Sequence, residues 1–263
     1  MPNRPVPSRI WSPWLAAVAL AAPAAWAPAA QPPAAATARL EALGGAATVR
    51  RDDAGRVVEV SIPDGADLTA DDVAALGELL DLRKLEILNC RILNDAMVER
   101  LVGLKKLEAL AVTNSAVTDR AVETIATAFP GLVELGLSSN TNLTGAALKN
   151  RFNDLGSRRI AKLQGLKALD LRGNMEAGDM TMELLGSLPR LTALKHRSTA
   201  VTDEGMAGIA RSPSLESLLI QDFAITDASG RHLAALEKLS SLEIFRCQGI
   251  GTDDALEFLG AVG

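Results

Sequence analysis

Apolar residues recur along this chain in the frame L-x-x-L-x-[apolar], and the frame returns at nearly constant intervals. Its second leucine falls at Leu85, Leu110, Leu135, Leu169, Leu194, Leu218 and Leu242, with gaps of 25, 25, 34, 25, 24 and 24 residues. A weaker copy one period earlier places Val57, Val60 and Ile62 in the three apolar slots. Within each copy, apolar and polar positions alternate with the two-residue period of a short strand, as in Leu107-Glu108-Ala109-Leu110-Ala111-Val112. A second half follows, opening on an apolar residue before Thr-Asp: Val117-Thr118-Asp119, Val201-Thr202-Asp203 and Ile225-Thr226-Asp227. Leu93-Asn94-Asp95, Leu143-Thr144-Gly145 and Ile250-Gly251-Thr252-Asp253 are weaker versions of that opening. Ala121, Val122 and Ile125 then carry the i, i+3/i+4 spacing of a helix packing inward. The threonine hydroxyl suits the first free amides of such a helix, and the aspartate suits the positive end of its dipole. Self-similarity at this period predicts a solenoid, in which each strand–helix unit packs only on its neighbours.

The N-terminal part follows other patterns. Alternating residues in Thr48–Arg51 and Arg56–Ile62 flank Asp52-Asp53-Ala54-Gly55, which predicts a β-hairpin. Its second strand would begin the repeat sheet, and its first would cover an otherwise open edge. Arg39–Leu43 reads as one helical turn closed by Gly44-Gly45. Before it, Arg4 and Arg9 precede the apolar run Leu15–Ala22 and then small residues and prolines, the layout of a secretory signal peptide. Cleavage could follow Ala24, Ala27 or Ala29; a proline follows Ala27, which favours Ala29. An uncleaved membrane anchor is the alternative, although Pro13, Pro23, Pro28, Pro32 and Pro33 interrupt the segment. The resulting division is a signal peptide over 1–29, a linker over 30–37, the helical turn and capping hairpin over 38–62, and repeats over 56–263.

The fuller frame L-x-x-L-x-x-L-x-L-x-x-T/C-x-[VI]-T-D is carried best by Leu104–Asp119, Leu188–Asp203 and Ser212–Asp227, the last departing at Ser212 and Phe223. It resembles the leucine-rich repeat family, and within it the subtype with helical convex sides, often called cysteine-containing repeats. The resemblance spans roughly residues 56–260. It implies an α/β solenoid of about eight repeats, with a curved parallel β-sheet on the concave face, helices on the convex face and the hairpin as N-terminal cap. The chain also looks like exported bacterial members of that family. The resemblance implies a non-enzymatic module holding a protein or peptide on its concave sheet, in the periplasm or outside the cell. A cytoplasmic adaptor or regulator, like ubiquitin-ligase receptors or GTPase-activating proteins with similar repeats, is the alternative.

Composition narrows the chemistry. Aromatic residues make up 3% of the chain and tyrosine is absent, so the core must be built from Leu, Ile, Val and Ala. The net charge is -5, and removing residues 1–29, which hold Arg4 and Arg9 but no acid, leaves -7. That balance argues against nucleic acid as a partner. Cys90 and Cys247 occupy the same slot six strand intervals apart, about 29 Å, far beyond disulfide reach. Both read as small buried residues. His196 takes an inward slot otherwise filled by residues such as Ile220 and Ile244, and reads as a neutral, hydrogen-bonded core imidazole. No histidine or cysteine falls at metal-ligand spacing, and neither a nucleophile motif nor a phosphate loop occurs, so no catalytic group, metal or cofactor is expected.

The outward residues of the predicted strands line up in columns. One column runs Ser61, Glu86, Ala111, Gly136, Asp170, Lys195, Leu219 and Glu243; another runs Pro63, Leu88, Thr113, Ser138, Arg172, Arg197, Gln221 and Phe245. Asp170 is expected to pair with Lys195, leaving Arg172 beside Arg197 with only Asp170 to offset them. This is either a solvated face or an acceptor for a carboxylate or acidic loop, bounded by Leu219, Gln221 and Phe245. The 34-residue gap adds a second candidate near 149–162, where Lys149, Arg151, Arg158 and Arg159 form a surface loop, a longer helix or a projecting basic contact. Leu256, Phe258 and Leu259 close the chain; either the last helix caps itself, or that face lets an otherwise monomeric protein dimerise.

Overall fold

The computed structural model describes residues 34–44, 47–139 and 152–250, all within one compact unit. The expected leader, Lys149, Arg151 and the closing Leu256, Phe258 and Leu259 lie outside the described residues. The first element is helix α1, Ala34–Leu43, so part of the expected linker is helical. Its alanines favour helix, and Ala36 and Leu40 are buried in the core. Strand β1 (Thr48–Arg51) then pairs antiparallel with β2 (Val57–Ile62) across the Asp52–Gly55 turn, where Asp52 accepts from the Ala54 and Arg56 amides.

From β2 onward strands and helices alternate. They are α2 (Ala70–Leu76), β3 (Lys84–Ile87), α3 (Asp95–Glu99), β4 (Ala109–Val112), α4 (Asp119–Ala128), β5 (Glu134–Gly136) and α5 (Asp154–Ile160). They continue with β6 (Ala168–Asp170), α6 (Asp179–Gly186), β7 (Ala193–Arg197), α7 (Asp203–Ile209), β8 (Ser217–Gln221), α8 (Gly230–Ala234) and β9 (Ser241–Phe245). The strands form one sheet in chain order, parallel from β2 to β9. Val60, Leu85, Leu110, Leu135, Leu169, Leu194, Leu218 and Leu242 stand opposite one another throughout. This is a leucine-rich repeat solenoid.

Register and burial explain the period. The inward strand residues Leu85, Ile87, Leu110 and Val112 share one apolar core with Val98, Val122 and Ile125 of the helices. Both cysteines are free and buried. Just after the strands, Asn89, Asn114, Ser139, Asp222 and Arg246 adopt positive φ, a region Asn and Asp tolerate better than most residues. Asn114 donates through its side-chain amide to Asn89, which donates to Asp64 at 2.8 Å, so side-chain amides join successive turns.

The Thr-Asp pairs do more than start their own helices. Thr118 and Thr202 do cap their own helices, accepting from Arg120 and Glu204 amides at 3.2 Å. The aspartates stand in the first turns, as expected, and Asp95 and Asp203 also reach into the next repeat. Asp95 accepts from the Thr118 amide and hydroxyl at 2.8 and 2.6 Å, and Asp203 accepts from those of Thr226 at 3.0 and 2.7 Å. Each carboxylate thus satisfies donors that its neighbour's helix start leaves unpaired.

The long gap also resolves locally. The helix packed between α4 and α6 begins at Asp154, capped by Asn153, and not at Leu143-Thr144-Gly145, which lies outside the described residues. Asn153 bridges Glu176 as Asn94 bridges Ala116. Leu135 and Asn153 are 18 residues apart where Leu194 and Thr202 are eight apart, so the extra residues precede Asn153. Arg158 and Arg159 therefore belong to an ordinary repeat helix.

Candidate functional site

The helices cover one face of the sheet, and the residues alternating with the core anchors occupy the other, the concave face of the sequence reading. Ser61, Glu86, Ala111, Gly136, Asp170, Lys195, Leu219 and Glu243 stand in register along it, and Arg197, Gln221 and Phe245 stand in register beside them. The face divides by chemistry. Over β2 and β3, Ser61 donates to Glu86 at 2.7 Å and Lys84 lies 3.1 Å from the same carboxylate. Over β4 to β7 the first outward row carries Ala109, Ala168 and Ala193, and the next carries Ala111 and Gly136, so small residues fill the middle of the face. Over β6 to β9 the charges gather.

The cations there are held more tightly than their spacing suggested. Asp170 engages Arg172 through Nε at 3.0 and 3.1 Å and Nη2 at 2.6 Å, and also accepts the Arg172 amide at 3.0 Å. Arg197 does not depend on Asp170: its Nε donates to Asp222 at 2.6 Å. Asp222 also takes Arg246, with Nε at 2.7 Å and Nη2 at 2.9 Å. The expected repulsion between Arg172 and Arg197 is therefore relieved from within the protein, because each has its own carboxylate. Burial pushes the Asp222 carboxyl up, but the two guanidiniums prevail and hold it below the usual range. Burial and Arg172 lower the Lys195 ammonium, opposed by Asp170 and Glu243. Leu219, between Lys195 and Glu243 in register, is buried, whereas Phe245 is 48% exposed.

Asp222 and Arg246 were missed in the sequence columns because they sit one residue further on, in the positive-φ slot. The recurrence of Asn89 and Asn114 in that slot is the signal that marks it. Of the second candidate, the described residues are Arg158 and Arg159: Arg159 is 3.3 Å from Glu123 of α4, and Arg158 lies 3.5 Å from the Met180 sulfur of α6.

His196 lies at the bottom of this region, facing the core. It is fully buried, with Nε2 2.9 Å from the Ala177 carbonyl, Nδ1 3.4 Å from the Leu171 carbonyl, and its ring edge-on to Phe223 at 5.4 Å. Burial lowers its pKa, which favours the neutral ring. A neutral imidazole donates once, and the shorter contact marks Nε2 as the donor. Among the described residues no group of three or more His, Cys, Asp or Glu side chains could hold a metal ion, and no helix is long and apolar enough to cross a membrane.

No family model and no curated protein matches this chain. Among solved structures it is similar to an internalin C2 from Listeria monocytogenes str. 4b F2365, at 19% identity and a TM-score of 0.44, over 84% of this chain and 86% of that one.

Proposed function

We propose that this chain is a non-enzymatic protein-binding module of the exported kind, which holds an acidic segment of a protein partner on the outer sheet face at Asp170, Arg172, Lys195, Arg197, Leu219, Gln221 and Phe245. The observation that supports this most is the arrangement of three arginines around two carboxylates. Asp222 serves Arg197 and Arg246 together, so this group carries one more positive charge than negative. Guanidiniums fixed by internal carboxylates lose little side-chain entropy when a further carboxylate arrives. Phe245 beside them offers an exposed ring for apolar contact. The basic start and apolar run of residues 1–29 support export, and cleavage after Ala29 would give a mature chain beginning at Ala30.

The test is photo-crosslinking in the native cells from a probe placed at Gln221, with a second probe at Arg158 of α5. A protein adduct from Gln221 that disappears in the Arg172→Glu/Arg197→Glu double variant is the expected outcome. An adduct unchanged by that reversal, or formed only from Arg158, would move the interface off the sheet. N-terminal sequencing of the same protein checks the export reading.

A further inference from the structure

Glu134, at the start of β5, is a charged group of the outer face that the acidic-segment reading leaves unused. It stands in register between Ala109 and Ala168, and Ala193 follows in the same row. The neighbouring row carries Ala111 and Gly136. No side chain in this patch is longer than a methyl except that of Glu134 itself. The Glu134 carboxylate makes no hydrogen bond or ion pair among the described residues. Its nearby Lys84 is engaged with Glu86 at 3.1 Å. Burial raises the Glu134 pKa, Lys84 lowers it and Glu86 raises it further, so the group lacks a counter-ion of its own. A half-buried carboxylate over a floor of small residues has room above it for one long side chain and a charge that chain can meet.

We propose that the partner segment is charged in two blocks: an acidic residue seats among Arg172, Lys195 and Arg197, while a lysine or arginine of the same segment lies along the Ala/Gly floor and places its cation on Glu134. This rests on the protein-binding reading and adds polarity to it, since the segment can lie in one direction only. Glu134 and Lys195 are two strand intervals apart and two residues apart along the strand direction. At about 4.8 Å per strand and about 3.3 Å per residue, that is about 12 Å, or three to four residues of an extended chain. Reversing the segment would bring its cation onto the arginines and its acid onto Glu134, and both contacts would become repulsive.

The experiment uses the intact protein and a phage-displayed library of random dodecapeptides. The wild-type protein should enrich peptides with an acidic and a basic residue three or four positions apart. Against Glu134→Gln, which keeps the shape of the side chain, a synthetic version of the selected peptide should bind about tenfold more weakly, the loss of one charge-assisted pair. Selection on Glu134→Arg should replace the basic position with an acidic one and keep the other acid. Selection on Arg172→Gln/Arg197→Gln should do the converse, losing the acid and keeping the base. Peptides whose enrichment and affinity ignore both Glu134 variants, while still depending on the arginines, would overturn the two-block segment and leave the acidic-segment reading standing. A wild-type selection that enriches nothing, or self-association of the protein that the same variants abolish, would overturn both.

Discussion

The step from α6 to α7 and the step from α4 to α5 use equivalent residues and close in different ways. At the first, Asp179 accepts from the Thr202 amide at 2.7 Å, the Thr202 hydroxyl at 2.8 Å and the Gly205 amide at 3.0 Å. At the second, the equivalent Asp119 has the Asn153 amide as a donor, but its Oδ1 is buried without a partner and its pKa is pushed up to about 6, chiefly by burial. The helices differ as well. A methyl group on Gly186 would collide with the Gly208 carbonyl oxygen and lie 3.1 Å from the Gly208 carbon and the Ile209 Cα, all backbone. A methyl group on Gly156 would collide with the Asp119 side chain and the Phe152 ring. The repeat frame sets which residues meet, and the number of donors that each helix start offers its aspartate decides how complete the joint is; at Gly178 the missing cap hydroxyl is replaced by that of Thr181. Next to the long gap, with Asn in place of Thr, one joint is left incomplete.

The largest effect should come from Gly186→Ala. In an ordinary helix a Gly→Ala change is favourable by roughly 0.5–1 kcal/mol. Here backbone must move against backbone, and overpacking of that kind costs about 3 kcal/mol. For a chain of this size the thermal midpoint should fall by about 6–12 °C. Gly156→Ala should cost about 1 kcal/mol, because a ring and a carboxylate can shift where a carbonyl cannot. Circular-dichroism melts of the two variants compare the joints directly. Equal losses would mean that the α6–α7 contact is no tighter than the other.

Much of this was legible before any coordinates. The spacing of Leu85 to Leu242 determined the strands, their order and the outward columns, because a two-residue period cannot slip by one without exposing every anchor. His196 announced its buried place by occupying an isoleucine slot. What escaped were contacts between repeats that no window of local sequence contains. Asp95, Asp179 and Asp203 look like partners of their own helices, yet each bonds a threonine 23 residues later. Asp222 escaped for a related reason: its role depends on a positive φ that sends its side chain toward two strands at once. The early start of α1 was hidden by the Ala- and Pro-rich stretch before it, whose composition reads as linker. The helix start at Asn153-Asp154 was visible in principle, since Asn94-Asp95 opens α3 in the same way.

Asp179→Ala is the next test of the comparison in size. It removes a charged acceptor from three donors at once in a partly buried joint. A loss of about 2–3 kcal/mol follows from the strength of charge-assisted bonds and the cost of unpaired donors. Asp119→Ala should cost less than half as much, since that carboxylate is already short of donors. Chemical denaturation of both variants at pH 7.5 measures the difference. If Asp119→Ala proved as damaging as Asp179→Ala, the α4–α5 joint would not be the incomplete one.

The smallest effect is also the most specific, because it is present at neutral pH and vanishes in acid. An aspartate has an unfolded pKa of about 3.9, below the folded value of about 6 at Asp119. The folded state therefore binds the proton more tightly, and this group favours folding below about pH 4. That contribution is lost as pH rises from about 4 through about 6, after which the ionised carboxylate is a constant penalty. Asp119 is only partly buried, so screening by solvent reduces the penalty to about 1 kcal/mol. Asp119→Asn, which keeps an acceptor for the Asn153 amide and carries no charge, should stabilise the protein by about that much at pH 7.5 and by nothing at pH 4. Asn153→Thr attacks the same defect from the other side. It supplies the hydroxyl that Thr202 gives Asp179, and should lower the Asp119 pKa while adding a similar stability at neutral pH. Carboxyl-carbon NMR titration of Asp119 in the wild type and in Asn153→Thr follows that pKa. A wild-type value near 4 would show that the joint next to the long gap is as complete as the one between α6 and α7.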